Sequence, residues 1–394
     1  MKRTPEPNEP SEPSEIDRPD RHELREAPPY RFAWTRRGFL GSLGAGFVVA
    51  AAIDRGEGSE KDDLGPFLAA RLHVGEDGIV TVFSSKVEVG QGSRAQLSQA
   101  AAEELRLAVD RVRMVLAETD RVPDDGGTFG SRTTGYTVPD VRKAAAAARE
   151  VLCGLAARHW GIDDPRAGRI VAREGEIVDS DTGARCSFGE LARTQDVEAA
   201  FRLARVAENV ELTPVADWKV LGRTAFKPTG REVATGAHRY PSDIRRPGML
   251  RGAVLRPPSF GARLAAIDEG AAREIEGAWI ARDGDFVGCA APTSFDARRA
   301  VEALSRTAKW VESRHPSTPE LFDYLKANVD AEAEARPQWN RETGSLDAAL
   351  ARGTKTLEAR YEVSYIAHAP MEPRAAVAEW TDSGLTVWTG TQRP

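Results

Sequence analysis

Two glycine-containing loops, each followed at once by a helix, constrain the fold of this sequence more than any other feature. The first loop is Val-Glu-Val-Gly-Gln-Gly at residues 87–92, and the apolar spacing after it predicts a helix over 93–107. The second is Thr-Phe-Gly-Ser-Arg-Thr-Thr at 128–134, and a helix is predicted over 138–155, with Thr137 and Asp140 as a capping box. Two helix amino termini, with their unpaired N–H groups and positive dipole ends, are therefore expected beside glycines.

Such loops are typical of sites that bind an anionic, polar ligand. Glycine lets a ligand approach the backbone closely. The side chains available to bind it are the amide of Gln91, the charge of Arg132 and the hydroxyls of Ser131, Thr133 and Thr134. The alternative is that each loop is only a tight turn. A Rossmann nucleotide site is excluded, because no third glycine follows Gly90 and Gly92 at the required spacing.

The rest of the chain mixes short strands and helices, which predicts an α+β fold. The segment that opens the globular part is a hairpin, residues 68–74 and 79–84, and 112–116 is a further strand. Ser187 and Glu190 form a second capping box. Later segments include short strands between 236 and 310, a helix over 294–304, a polar helical link, and strands at 354–363, 375–380 and 385–388.

The amino-terminal region predicts export. Residues 1–34 are rich in Pro, Glu, Asp and Arg and poor in apolar side chains, which predicts a disordered leader. Arg36 and Arg37, followed by Gly-Phe-Leu, match the twin-arginine signal, whose core spans 35–52 and ends in three alanines suited to cleavage. The apolar run is too short to span a bilayer. The expected location is the periplasm, with membrane contact only through this signal. The alternatives are that the signal stays uncleaved and acts as an anchor, or that the two arginines precede a buried helix by chance.

Composition excludes several other functions. The net charge of −6 gives no reason to expect a nucleic-acid partner. Cys153, Cys186 and Cys289 are too far apart for an iron–sulfur cluster or a zinc site, and are expected to be small apolar core residues. The six histidines are scattered, so no metal site is predicted from protein side chains.

Taken together and in this order, the motifs resemble the molybdenum-cofactor subunit of the molybdenum hydroxylases, the xanthine dehydrogenase and aldehyde oxidase family. Residues 87–92 are similar to the family's Glu-Met-Gly-Gln-Gly motif, with Val89 in place of methionine, and 128–134 to its later cofactor loop. Residues 247–258 resemble the start of its a/b hammerhead domain, and 368–373 and 390–392 the start of a cofactor-binding domain. The order is that of the isoquinoline 1-oxidoreductase β-subunit group.

The resemblance implies roles for individual residues. Gln91, between Gly90 and Gly92, would contact the part of the cofactor nearest the molybdenum. The second loop would hold the pterin and phosphate region, and the residues concerned are Gly130, Ser131, Arg132 and Thr133. His368 and Glu372 match a motif near the site, as supporting groups. The cofactor implied is molybdenum with molybdopterin cytosine dinucleotide.

The domain order implied is a molybdopterin-binding-like α+β segment at 65–215, an a/b hammerhead-like domain at 216–312, a linker at 313–353 and the start of a further molybdopterin-binding domain at 354–394. Family members continue beyond this point, and the continuation carries the glutamate that acts as general base. We therefore expect an incomplete, multi-domain chain whose own catalytic residue is unknown.

The implied function is that of the amino-terminal half of an exported oxidoreductase that hydroxylates N-heteroaromatic compounds or aldehydes with water as the oxygen source. The implied partners are a complementary carboxy-terminal half, a small subunit carrying the [2Fe–2S] clusters, and a cytochrome c as a candidate electron acceptor. The alternative is a catalytically inactive exported relic, or an assembly or binding module. A reading frame encoding the missing motifs would favour the enzyme over this alternative.

Overall fold

A computed structural model of the protein describes residues 46–50, 70–163, 165–166, 168–194, 210–329, 343–382 and 384–394. The predicted leader at 1–34 lies outside these residues, as do Arg36 and Arg37. Within the predicted signal core, Gly46–Ala50 forms a strand. No helix in the described ranges is both long and apolar enough to cross a membrane.

The chain folds into two compact units. The first unit contains the described residues up to Ile244 together with Arg374–Pro394, and the second is Arg245–Pro373. The later segment of the chain thus rejoins the first unit, so the second unit is an insertion in the order of the sequence.

The main sheet of the first unit has four strands and one parallel pair. The strands, in both chain and spatial order, are β1 (Gly46–Ala50), β2 (Ala70–Gly75), β3 (Val80–Ser84) and β4 (Val112–Leu116). The two pairings β1–β2 and β2–β3 are antiparallel, which confirms the predicted opening hairpin. Strand β4 is parallel to β3, because helix α1 (Ser93–Leu105) forms the crossover between them.

Helix α1 packs against the longer helix α2 (Val138–His159) to cover this sheet. Leu97, Ala101 and Leu105 of α1 are fully buried, as their spacing predicts. Helix α2 presents buried alanines, whose small side chains permit close approach of the helices. The loop before each helix is thereby fixed at one edge of a dry core.

The predicted capping box at Thr137 and Asp140 is wrong. Residues Thr133–Thr137 already form a π-helical turn that leads without interruption into α2. Thr137 has helical dihedral angles, φ −73° and ψ −34°, and its side chain caps no N–H group. The helical conformation begins earlier than the apolar periodicity predicts. Periodicity could not indicate this start, because the turn is polar and has no apolar repeat.

A second, three-stranded antiparallel sheet shares the same core. Its strands are β5 (Ile170–Arg173), β6 (Glu176–Asp179) and β7 (Arg185–Ser187), followed by helix α3 (Phe188–Thr194). The predicted capping box is confirmed here: the Ser187 N–H donates to Glu190 Oε2 at 2.8 Å, and the Glu190 N–H donates to Ser187 Oγ at 3.2 Å.

Two buried carboxylates of α1 fix the segment that follows this sheet. Glu103 Oε2 accepts the backbone N–H groups of 219–221, and Glu104 accepts the N–H and the hydroxyl of Thr213. Arg142 and Arg149 of α2 pair with Glu104. The rest of the first unit is helix α4 (Gly230–Thr235) and a hairpin of β13 (Ala376–Thr381) and β14 (Gly384–Thr389).

The second unit is a small α+β body. Its core contains Leu255, Val287, Cys289, Ala300 and Leu304. Its elements are β8 (Arg251–Leu255), β9 (Arg263–Ala266), α5 (Gly270–Arg273), β10 (Trp279–Asp283), β11 (Phe286–Ala291), α6 (Ser294–Thr307), β12 (Lys309–Val311), α7 (Leu321–Ala327) and α8 (Leu346–Arg352). The sheets are β10–β11–β8 and β12–β9, both antiparallel.

The strand predicted at 354–363 is wrong. These residues form no strand, and all of them are exposed. An alternating pattern forms a strand only where another strand supplies hydrogen-bond partners, and in the described part of the chain none pairs with this segment.

The three cysteines are free thiols. Cys186 and Cys289 are buried and Cys153 is half-buried. Burial raises the pKa of all three, to about 12 for Cys153. A raised pKa disfavours the thiolate, which is the reactive form of a cysteine.

Candidate functional site

The first loop is closed by a carboxylate of its own. Glu88 Oε1 accepts the N–H groups of Gly90 (2.9 Å) and Gly92 (3.1 Å), and Oε2 accepts that of Arg94 (3.0 Å). Burial alone would raise the pKa of Glu88, but these three donors hold the pKa below its usual value. Two N–H groups at the amino terminus of α1, those of Gly92 and Arg94, are thus bonded within the protein, so these two are not open to a ligand.

Gln91 lies at the exposed tip of this loop. Its side chain folds back on the main chain: Oε1 accepts the N–H of Val89 at 2.8 Å, and Nε2 donates to the carbonyl of Val87 at 2.9 Å. Gly90 and Gly92 have φ of 102° and 85°, conformations that side chains rarely adopt. Both ends of the Gln91 amide are therefore oriented by the backbone of the same loop.

The second loop continues this exposed surface. Gly130 and Ser131 both have left-handed backbone, with φ of 62° and 57°, and they lead into the π-helical turn. Ser131 and Arg132 are exposed and Thr133 is half-exposed. Arg132 extends over the Phe129 ring, 5.9 Å from its centroid. Non-glycine left-handed residues and π-helical turns are both enriched at functional sites.

Hydrogen bonds hold the two loops side by side. Thr128 Oγ1 accepts the N–H of Val87 at 2.8 Å, and Gln96 Nε2 donates to Thr134 Oγ1 at 2.8 Å. We call the surface formed by residues 89–92 and 129–134 the two-loop face. The structure brings together every cofactor-loop residue that the sequence predicts, namely Gly90, Gln91, Gly92, Gly130, Ser131, Arg132 and Thr133, on loops that are directly bonded.

Beneath the second loop lies a buried charge network that the sequence analysis missed. Arg71 and Asp125 form an ion pair with two hydrogen bonds, Nη2 to Oδ1 at 2.5 Å and Nη1 to Oδ2 at 2.8 Å. Only 0% and 2% of their side chains are exposed. Ser84 Oγ also donates to Asp125. Lys86 donates to the carbonyls of Asp125, Gly126 and Gly127 at 2.9–3.3 Å. Burial lowers the pKa of Lys86, although Asp125 and Asp124 oppose this effect.

A third segment, which includes Gln392, pairs with the second loop at Thr128. The N–H of Thr128 donates to the carbonyl of Gln392 at 2.7 Å, and Gln392 Nε2 donates to the carbonyl of Thr128 at 3.0 Å. Residues 390–392, which the family resemblance singles out, are therefore joined to the two-loop face. Charged residues beside glycines, such as Glu88 and Asp125, were the sequence signal that could have indicated the supporting contacts.

His368 and Glu372 belong to the second unit. Both are exposed, and they form no part of the two-loop face as described. Their supporting role stays a prediction.

The two-loop face suits a polar, anionic ligand better than a directly coordinated metal ion. Added side-chain carbons at Gly90 and Gly92 would meet no atom within 4 Å, so the space beside these glycines is open to a ligand. The exposed groups are an amide, hydroxyls and a guanidinium, which are phosphate and pterin partners. In the part of the chain that the structure describes, no group of three or more His, Cys, Asp or Glu could hold a metal ion.

Family comparison agrees with this chemistry. A molybdopterin cofactor-binding domain matches residues 19–240, more than half of the chain, and a second domain of the same description matches 329–394. The chain belongs to the molybdenum hydroxylase family. Both matched models describe molybdopterin cofactor-binding domains, so its cofactor is accordingly molybdenum with molybdopterin.

Two curated relatives and one solved structure are similar to the chain. A nicotinate dehydrogenase subunit of Pseudomonas putida is 32% identical over 336 residues, covering 83% of this chain and 27% of the relative. The beta subunit of isoquinoline 1-oxidoreductase from Brevundimonas diminuta is 28% identical, covering 91% and 52%. Quinoline 2-oxidoreductase from Pseudomonas putida 86 is 22% identical over 44% of this chain and 27% of that chain, with a TM-score of 0.34. The chain thus spans about a quarter and about half of the two curated relatives.

Proposed function

We propose that the two-loop face is one wall of the cofactor site in an exported hydroxylase that acts on N-heteroaromatic compounds or aldehydes, with water as the oxygen source. The observation that carries this proposal is the direct bonding of the Gly90–Gly92 loop to the Gly130–Thr133 loop through Thr128. The names of the relatives, a nicotinate dehydrogenase and an isoquinoline oxidoreductase, support the substrate class.

Each exposed group has a distinct task in this proposal. Gln91, whose amide is held by Val87 and Val89, presents a neutral polar group toward the reacting end of the cofactor. Ser131 and Arg132 hold the anionic end, because a guanidinium and a hydroxyl bind phosphate oxygens with charge-assisted hydrogen bonds. The cofactor itself supplies the two-electron oxidation and the oxygen transfer when bound. We propose that it is the cytosine dinucleotide form.

The remaining parts of the enzyme are proposed to lie outside the printed sequence. The match to only 27% and 52% of two relatives supports a further wall of the site, with the general-base glutamate, in the same or another polypeptide. A separate small subunit would carry the [2Fe–2S] clusters and pass electrons onward, with a cytochrome c as the candidate acceptor. Three separated cysteines cannot ligate such clusters in this chain.

The test compares cofactor retention in matched variants of the assembled enzyme. Ser131→Ala with Arg132→Ala should lower bound molybdenum roughly tenfold or more, because charged hydrogen bonds to an anion are lost. Ser180→Ala with Arg185→Ala, an exposed pair on the β5–β7 sheet, should leave it unchanged. Gln91→Ala should lower turnover while most molybdenum stays bound. Unchanged molybdenum and turnover in all three variants would remove the two-loop face from the site.

A further inference from the structure

Thr128 bonds to two segments that are distant from it in sequence. Its hydroxyl accepts the N–H of Val87 at 2.8 Å, while its own N–H and carbonyl pair with the carbonyl and the side-chain amide of Gln392 at 2.7 and 3.0 Å. These contacts bridge 41 positions in one direction and 264 in the other. All three polar groups of Thr128 thus join its loop to two other segments of the chain, at Val87 and at Gln392.

The contacts of Thr128 continue to Gln91 through a single residue. The N–H of Val87 is held by Thr128, and the carbonyl of Val87 accepts from Gln91 Nε2 and from Ser93 Oγ. A rotation of Val87 would therefore displace the group that orients the Gln91 amide. In the other direction along the chain, Thr128 lies two residues before Gly130.

Burial makes these bonds costly to lose. Thr128 is 7% exposed, so water cannot readily replace a missing partner. A residue of the same shape without the hydroxyl would leave the Val87 N–H unsatisfied, whereas the two main-chain contacts of residue 128 would remain.

We propose that Thr128 is a positioning residue that holds residues 87–92 and 390–392 against the second loop. It thereby sets the geometry of the surface that these three segments form, which we call the cofactor wall. The inference rests on the proposed function, because it assumes that the two-loop face receives the cofactor. Thr128 itself touches neither cofactor nor substrate in this account; it acts through Val87 and Gln392.

The first part of the test uses hydrogen exchange on the full chain, without cofactor. Thr128→Val should speed exchange of the Val87 N–H about fivefold or more, as expected for the loss of one buried hydrogen bond. Thr128→Ser keeps the hydroxyl and should restore the wild-type rate. Thr81→Val is the control, because Thr81 is buried to a similar degree, at 8% exposure, in strand β3. An unchanged Val87 rate in Thr128→Val overturns the inference.

The second part measures molybdenum content, kcat and KM in the assembled enzyme. Thr128→Val should lower bound molybdenum or kcat severalfold while KM changes little, and Thr128→Ser should recover both. Normal molybdenum and kcat in Thr128→Val, despite faster Val87 exchange, also overturns the positioning role and leaves the proposed function intact. A wild-type enzyme that holds no molybdenum overturns the proposed function, and the inference fails with it.

Discussion

At the scale of single residues, the two-loop face depends on polar side chains that hydrogen-bond to the main chain of their own loop. Glu88 illustrates the principle: a carboxylate with 14% exposure satisfies three main-chain donors and so defines the path of the Gly-Gln-Gly loop. The ligand-facing groups are then free to be neutral or cationic. In the proposed function, this negative charge held by the loop itself leaves Ser131 and Arg132 to bind the anionic end of the cofactor.

Replacement of Glu88 tests this arrangement. Glu88→Gln should lower the free energy of unfolding by about 1–2 kcal/mol at neutral pH, since an amide nitrogen would face N–H donors. It should also lower molybdenum retention. Glu190→Gln weakens the cap of α3 in the same chemical manner and should leave molybdenum unchanged. Equal effects of both variants on molybdenum would contradict a specific role for Glu88.

The stability lost in Glu88→Gln, measured as the free energy of unfolding, should depend on pH as the pKa of Glu88 dictates. The folded-state pKa lies below the usual value of 4.5, so the carboxylate stabilises the folded chain at pH above that value, and its contribution falls as the pH drops through the folded-state pKa. Urea unfolding of the wild type and Glu88→Gln should thus give a constant difference above about pH 5 and a shrinking one in acid. A difference independent of pH would contradict this.

At the scale of elements, the sequence predicted regular structure well where one face is buried. The hairpin, α1, β4 and α6 follow from apolar periodicity, and Leu97, Ala101 and Leu105 are buried as expected. Periodicity could not reveal the polar contacts, because Glu103, Glu104, Lys86 and Asp125 are buried by partners far away in sequence. It failed at 354–363 for a related reason: a strand pattern does not specify its partner.

The loop before the second glycine motif offers a prediction at this scale. Asp125→Asn removes the charge that pairs with fully buried Arg71, and should destabilise the first unit by about 3–5 kcal/mol. Asp181→Asn breaks an Arg–Asp pair whose side chains are 67% and 39% exposed, and should have little effect. Thermal unfolding compares the two variants, and Asp125→Asn should have the lower melting temperature. Similar melting temperatures would contradict a structural role for the buried pair.

At the scale of the whole molecule, chain order and spatial order differ. The second unit lies between two parts of the first in sequence, so the contact of Thr128 with Gln392 forms only when residues 374–394 return to the first unit. Such a distant contact is slow to form. This suits the proposed export of a folded, cofactor-loaded protein, because the wall is complete only after the chain to Gln392 has been made.

The export proposal has its own test. Arg36→Lys with Arg37→Lys should retain the protein in the cytoplasm, because the translocation machinery reads the two arginines as a pair. Arg21→Lys with Arg25→Lys makes the same chemical change in the leader and should leave export normal. Fractionation followed by immunodetection gives the result. Wild-type periplasmic levels of the Arg36 and Arg37 variant would exclude this route.

The most direct test of the central claim is the cofactor content of the protein taken from its own cells. The chain should be tagged at its chromosomal locus and purified under native conditions, and molybdenum, pterin and nucleotide should be measured on the same sample. Molybdenum and molybdopterin are predicted to co-purify in amounts stoichiometric with the chain, and acid hydrolysis should release a cytosine nucleotide. Molybdenum and pterin no higher than in an untagged control would contradict the account and favour an inactive exported module.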